Sequence, residues 1–317
     1  MRAIGGYFGL EISQKSEHHV GALRLNTGRN ALEYILLTNN YSKIYIPYYT
    51  CGVILQPILR NGIEYEYYHI DERFDPVFDF SIIKEFEAFL YTNYFGLKDE
   101  CIVKLVGECN NLIIDNAQAF YSKPFTGIDT FYSPRKFFGV PDGAYLFTGK
   151  DATIPLTKDF SWHRFAHLLK RVDQSAEFGY ADFKENEDGL NDLPIMEMSV
   201  LTQNLLQSID YADSAAKRRN NFLYLSKRLN GLNRLAFNLG DGQVPMVYPF
   251  YSGNLKLRNF LTENKVYTGI YWKEVKDILP EGSHEYKFAN NLVHLPVDQR
   301  YNENDLAKVA DLVLACK

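Results

Sequence analysis

Between residues 25 and 150, short runs of β-branched, aromatic and aliphatic residues alternate with stretches whose apolar positions recur at helical spacing. Residues 43–46, 64–70, 88–92, 112–115, 129–132 and 144–148 read as strands, and 31–37, 53–59, 81–86 and 100–107 as helices. Such alternation covers both faces of a mostly parallel sheet with helices, so the expected class is α/β. After residue 150 the pattern turns helical, over 162–172 and from 198 to 229. Strands near 244–250, 266–271 and 292–295 and a last helix over 303–315 predict a smaller C-terminal α+β domain. The expected division is a large domain over 1–205, including the N-terminal segment 1–24, and a small domain over 206–317.

Length and composition narrow the function. A chain of 317 residues that is 46% hydrophobic can bury a large core. Its net charge of -5 includes no sustained basic run, so no nucleic-acid partner is expected. Cys51, Cys101, Cys109 and Cys316 show no ligand or disulfide spacing, which points to reduced thiols in a cytoplasm and no metal site. With neither a signal core nor an apolar run of about 20 residues, export and membrane spanning are not expected. The 23 Tyr and 22 Phe, as at Tyr65, Tyr67 and Tyr68, are read as residues of half-buried strands.

Chemistry gathers at three strand or helix ends. Asp115 closes the apolar run Leu112-Ile113-Ile114, where a carboxylate is costly without a cation. Lys136 follows the run at 129–132 and is flanked by Phe137 and Phe138, whose desolvation would lower its pKa and free the amine for Schiff-base chemistry. Ser133 and Arg135 beside it offer a hydroxyl and a charge to a phosphate. The turn Asn26-Thr27-Gly28-Arg29-Asn30 opens a helix and so forms a phosphate seat, or simply an N-cap.

In order along the chain, these residues resemble the DegT/DnrJ/EryC1/StrS sugar aminotransferases, fold-type I pyridoxal-phosphate (PLP) enzymes. Gly28-Arg29-Asn30-Ala31-Leu32 is similar to the family's G-T-x-A-L and Ile46-Pro47-Tyr48-Tyr49-Thr50 to its V-P-A-x-T. Asn93-Tyr94-Phe95-Gly96 stands for H-x-x-G, Asp115-Asn116-Ala117-Gln118-Ala119 for D-x-A-Q-A, and Asp142-Gly143 for part of G-E-G-G. His294-Leu295-Pro296 resembles its small-domain strand.

The resemblance implies a fold-type I PLP-transferase and a homodimer. It implies that Lys136 anchors the cofactor and moves protons, that Asp115 holds the pyridine nitrogen protonated, and that Gln118 meets the ring oxygen or the substrate. The substrates implied are glutamate and a nucleotide-linked keto sugar. The sequence departs from the pattern at Arg29, which replaces the phosphate-binding Thr, and at Phe131, which replaces a serine. Ser133 and Arg135 stand in by chemistry. The stacking aromatic falls at Cys51, leaving Tyr48, Tyr49 and others open as the stacking residue, and the segment around 193–202 lacks the family's Asn.

A non-catalytic or regulatory member of the same fold, and a PLP enzyme acting on another small keto substrate, are the alternatives. A dinucleotide binder is not favoured, because neither GxGxxG nor GxxxxGK[ST] occurs. His18 and His19 read as a solvated loop. His163 and His167 share a helical face, and Arg218 and Arg219 a solvated one. Tyr271, Trp272 and Arg300 are placed at the substrate mouth.

Overall fold

The computed structural model describes residues 4–150 and 154–316. β1 (Leu23–Leu25), α1 (Gly28–Asn39), β2 (Lys43–Pro47), α2 (Leu55–Arg60), β3 (Glu64–Ile70), β4 (Pro76–Val77) and β5 (Glu87–Thr92) come first. α3 (Asp99–Glu108), β6 (Leu112–Asn116), β7 (Asp129–Tyr132), β8 (Ala144–Phe147) and β9 (Thr157–Lys158) follow. Then come α4 (Ala166–Asp173), α5 (Tyr180–Gly189), β10 (Met196–Glu197), α6 (Val200–Gln207) and α7 (Tyr211–Leu229). The chain ends with β11 (Val247–Phe250), α8 (Leu257–Glu263), α9 (Val275–Ile278), α10 (His284–Asn291), β12 (Val293–Pro296) and α11 (Glu303–Ala315).

Ten strands form one sheet in the order β4-β3-β2-β5-β6-β7-β8-β1-β10-β9, and β11 pairs with β12 separately. The run β3-β2-β5-β6-β7 is parallel, as the alternation of strand and helix predicts. Alternate residues of its central strands enter two cores. Ala88, Leu90, Ile113 and Phe131 join Leu32 and Ile35 of α1, whereas Phe89, Tyr91, Ile114 and Tyr132 enter the other. The aromatic residues of these central strands are fully buried because both sheet faces are covered, whereas in β3 Tyr65 is exposed, Tyr67 partly buried and Tyr68 buried, the half-buried strand expected.

α1 is buried from Arg29 through Leu36. Thr27 caps its start by accepting from the Asn30 N–H, and Asn40 ends it in the left-handed region at φ 55°, donating back to Leu36 and Leu37. Within the second core an aromatic wedge joins the loops near β2 and β4 to the C-terminal part of the chain. Tyr49 meets Trp272 edge-on at 4.5 Å between ring centroids, and Phe74 stacks on Phe288 at 4.4 Å.

Several expected elements differ. Residues 81–86 make only a 3-10 turn, Phe80–Ile82, capped by Asp79, because Ile83 is already extended. The helix expected over 162–172 is split into a 3-10 turn, Trp162–Arg164, and α4, so His163 and His167 do not share a helical face. Asp210 caps α7 and breaks the 198–229 stretch in two. Residues 266–271 form no strand, lying between the left-handed residues Lys265 and Trp272. The pattern of the sequence does not predict α5, because its residues, YADFKENEDG, carry almost no apolar stripe. Among the described residues no helix is long and apolar enough to cross a membrane.

Gly96 holds a turn that only glycine fits. Its φ is +72°, and an added Cβ would lie 2.9 Å from the Val244 carbonyl oxygen. Gly96→Ala is expected to cost about 2–3 kcal/mol, measured by urea unfolding.

Candidate active site

The parallel strands β6 and β7 deliver the first two functional groups side by side. Asp115 pairs in register with Phe131, and the chain leaving β7 turns through the 3-10 segment Pro134–Lys136. The start of α1 closes in beside them: a Cβ on Gly28 would stand 3.8 Å from the Ser133 Cβ. That turn is braced by buried amides. Asn30 donates to Asn26 at 2.8 Å and to the Pro194 carbonyl at 2.7 Å, and the Gly143 N–H donates to the Asn26 carbonyl.

Gly28, Arg29, Cys51, Asp115, Ser133, Arg135 and Lys136 thus line one cavity of about 140 Å³. Arg135 and Lys136 also line a neighbouring cavity of about 670 Å³, with Tyr271 and Arg300 on its other side. Tyr271 and Arg300, placed at the substrate mouth from the sequence, thus share this cavity with Lys136. Trp272 instead packs into the aromatic wedge.

Asp115 is 6% exposed, and one carboxylate oxygen accepts the Ala117 N–H at 2.8 Å. Burial pushes its carboxyl pKa up, opposed by the Lys136 ammonium, that N–H and the Thr92 hydroxyl. Among the described residues it makes no ion pair within 4 Å and belongs to no metal-binding cluster. A buried carboxylate in this state suits a cationic group placed in the cavity.

The other end of the cavity is built for an anion. Arg29, at the first turn of α1, donates to two neutral oxygens, those of Gln56 at 2.8 Å and Asn191. Burial, and then the charge of Arg135, lower its pKa, so the two guanidiniums stand close. Arg135 is held by Glu187 of α5. Glu187 and Asn191 went unremarked in the sequence because neither α5 nor the loop after it carries a pattern pointing to the cavity. Glu187→Gln should release Arg135 and tighten inorganic phosphate binding about fivefold, read by fluorescence titration.

The remaining expectations divide. Lys136 is exposed, because Phe137 and Phe138 turn into the core and do not desolvate it as their position suggested. Tyr49 is fully buried in the aromatic wedge and Tyr48 stacks on Tyr67, so of the candidates at this strand end only Cys51 lines the cavity. Gln118 is buried, its side-chain oxygen accepting the Phe95 N–H at 3.0 Å, which supports the turn at Gly96. Asp142 is sequestered by Arg164 and Thr202, while Gly143 lines the cavity. His19 is buried and not in a solvated loop: its Nε2–H donates to the Phe120 carbonyl at 2.8 Å, and burial brings its pKa down to about 3. Arg218 is buried and Arg219 bonds the Gly240 and Gln243 carbonyls, so neither lies on a solvated face.

This architecture, with its cavity at the carboxyl ends of β6 and β7, shares its fold with solved aminotransferase structures. A DegT/DnrJ/EryC1/StrS aminotransferase of Brucella abortus matches with a TM-score of 0.64 at 15% identity, over 93% of this chain and 85% of that one. A sugar aminotransferase of Micromonospora echinospora matches with a TM-score of 0.62 at 15% identity, over 93% and 87%. Spr1654 of Streptococcus pneumoniae, in its PLP form, matches with a TM-score of 0.64 at 15% identity, over 93% and 86%. At such identities the likeness is one of fold. No protein-family model and no curated protein matches the chain.

Proposed function

We propose that the chain is a pyridoxal-phosphate aminotransferase that passes an amino group from glutamate to a nucleotide-linked keto sugar for polysaccharide or glycoconjugate synthesis. In this reading it works as a cytoplasmic homodimer, with residues 1–205 holding the cofactor and 206–317 closing the substrate side. The observation that carries the proposal is one cavity bearing a lysine and a buried carboxylate without an ion-pair partner among the described residues. The residues fit the cofactor: Asp115 suits a protonated ring nitrogen, and Gly28, Arg29, Ser133 and Arg135 suit a phosphate.

When bound, the cofactor supplies an electron sink for the substrate's reacting carbon. Asp115 would keep a proton on the cofactor's ring nitrogen. Lys136 Nζ would anchor the cofactor and would take and return the proton at the substrate carbon. Arg29 and the first N–H groups of α1 orient the phosphate. Tyr271 and Arg300 line the space left for the acceptor.

A non-catalytic member of the fold is the second reading, favoured by the engagement of Arg135 with Glu187 inside the proposed phosphate seat. The two separate on an absorbance spectrum with added pyridoxal phosphate, followed by borohydride reduction and peptide mapping. A visible band and an adduct on the Lys136 peptide are expected. Folded protein giving neither would overturn the enzyme reading.

A further inference from the structure

Lys136 sits on a short turn whose own bonds are few. Its N–H donates to the Ser133 carbonyl at 3.3 Å, and the Phe137 and Phe138 N–H groups both donate to the Pro134 carbonyl at 2.9 Å. The next peptide is held from outside. The Phe137 carbonyl accepts from Arg218 Nη2 at 3.1 Å and from Gln299 Nε2 at 2.9 Å, and Arg218 Nε donates to Gln299 Oε1 at 2.8 Å. The guanidinium also lies 4.5 Å from the Phe137 ring centroid. The three residues close a triangle around the carbonyl that follows Lys136.

Arg218 is costly to place there. It is 1% exposed and, among the described residues, has no carboxylate within ion-pair distance; its remaining bonds go to the Met246 carbonyl at 3.2 Å and the Pro245 carbonyl at 3.4 Å. Asp298, the nearest acid by charge, is taken by Arg300 in a two-point pair at 2.7 and 2.9 Å. Burying a guanidinium against neutral acceptors is unfavourable unless its rigid fork is needed to join several segments at once. Here it joins α7, the irregular segment leading into β11 and the loop after β12 to the Lys136 turn.

We infer that Arg218 and Gln299 are positioning residues for Lys136, fixing the turn that presents its amine to the cavity. The inference rests on the anchoring role proposed for Lys136. It requires no contact between either residue and the cofactor or substrate.

Gln299→Glu is the discriminating variant. The new carboxylate still accepts from Arg218 and adds a charge partner for it, but it cannot donate to the Phe137 carbonyl. Thermal stability should therefore hold or rise, while the rate of borohydride-trapped pyridoxal phosphate on Lys136 falls about tenfold. Affinity for pyridoxamine phosphate, which forms no bond to the lysine, should stay within about twofold. Gln299→Met, which removes donor and acceptor together, should show the same slowing and serves if the first variant does not fold. Folded variants that trap Lys136 at the wild-type rate would overturn the positioning role alone. Failure of the wild-type chain to form any Lys136 adduct would overturn the anchoring role and this inference with it.

Discussion

Asp115→Asn is expected to stabilise the cofactor-free chain while lowering transamination about 10²- to 10³-fold. Burial raises the folded-state pKa of Asp115 above its unfolded value. The folded chain therefore binds this proton more tightly, and the group's contribution is favourable below the unfolded pKa of about 4 and lost as pH rises through the folded value. Above the folded pKa the ionised carboxylate opposes folding, and the neutral amide removes that cost, by about 1–2 kcal/mol. The wild-type chain should lose stability relative to Asp115→Asn as pH rises from about 4 toward neutrality. Bound pyridoxal phosphate should reverse the order, because a cationic ring nitrogen favours the carboxylate over the amide. Melting curves across this pH range, with and without cofactor, are the measurement. A cofactor-free Asp115→Asn chain less stable than wild type at neutral pH would show that the carboxylate has a partner in the folded protein.

Lys136→Ala should lower transamination about 10⁴-fold, since it removes the proposed anchor and the proton carrier together. Its effect on stability should stay within about 0.5 kcal/mol, because Lys136 is exposed. Steady-state kinetics with glutamate and a keto-sugar nucleotide, set beside a denaturant curve, read both effects. Comparable losses of activity and stability would assign Lys136 a structural role. Retention of the reducible adduct in Lys136→Ala would move the anchor to another lysine.

Fold and site were legible in the sequence to different depths. The parallel core could be read because β2, β5, β6 and β7 are short apolar runs, with helices before β2 and β6, a 3-10 turn before β5 and a turn-rich stretch before β7, and the carboxyl ends of β6 and β7 fall where Asp115 and Ser133 stand. The cavity-lining roles of Gly28, Arg29, Cys51, Ser133, Arg135 and Lys136 follow from that topology together with the start of α1. What the sequence hid was long-range partnership. Glu187 meets Arg135 across 52 positions, Arg218 meets the Phe137 carbonyl across 81, and no local periodicity encodes either contact. Burial misled in both directions. The phenylalanines beside Lys136 face away from its amine, whereas Arg218, in a helix crowded with polar residues, lies entirely inside.

The aromatic wedge bears on how such a chain can diversify. Tyr49 and Phe74 lie in the part that carries the site, while Trp272 and Phe288 lie in the C-terminal part, and each fills the space left by the other pair. Exchanging the C-terminal third for that of a relative would leave bulky rings clashing or voids unfilled unless all four positions changed in concert. Recombination at this junction is therefore constrained, and under the proposed function new acceptor specificity would be reached more readily by point changes in the loops around Tyr271 and Arg300 than by wholesale replacement of the segment that bears them.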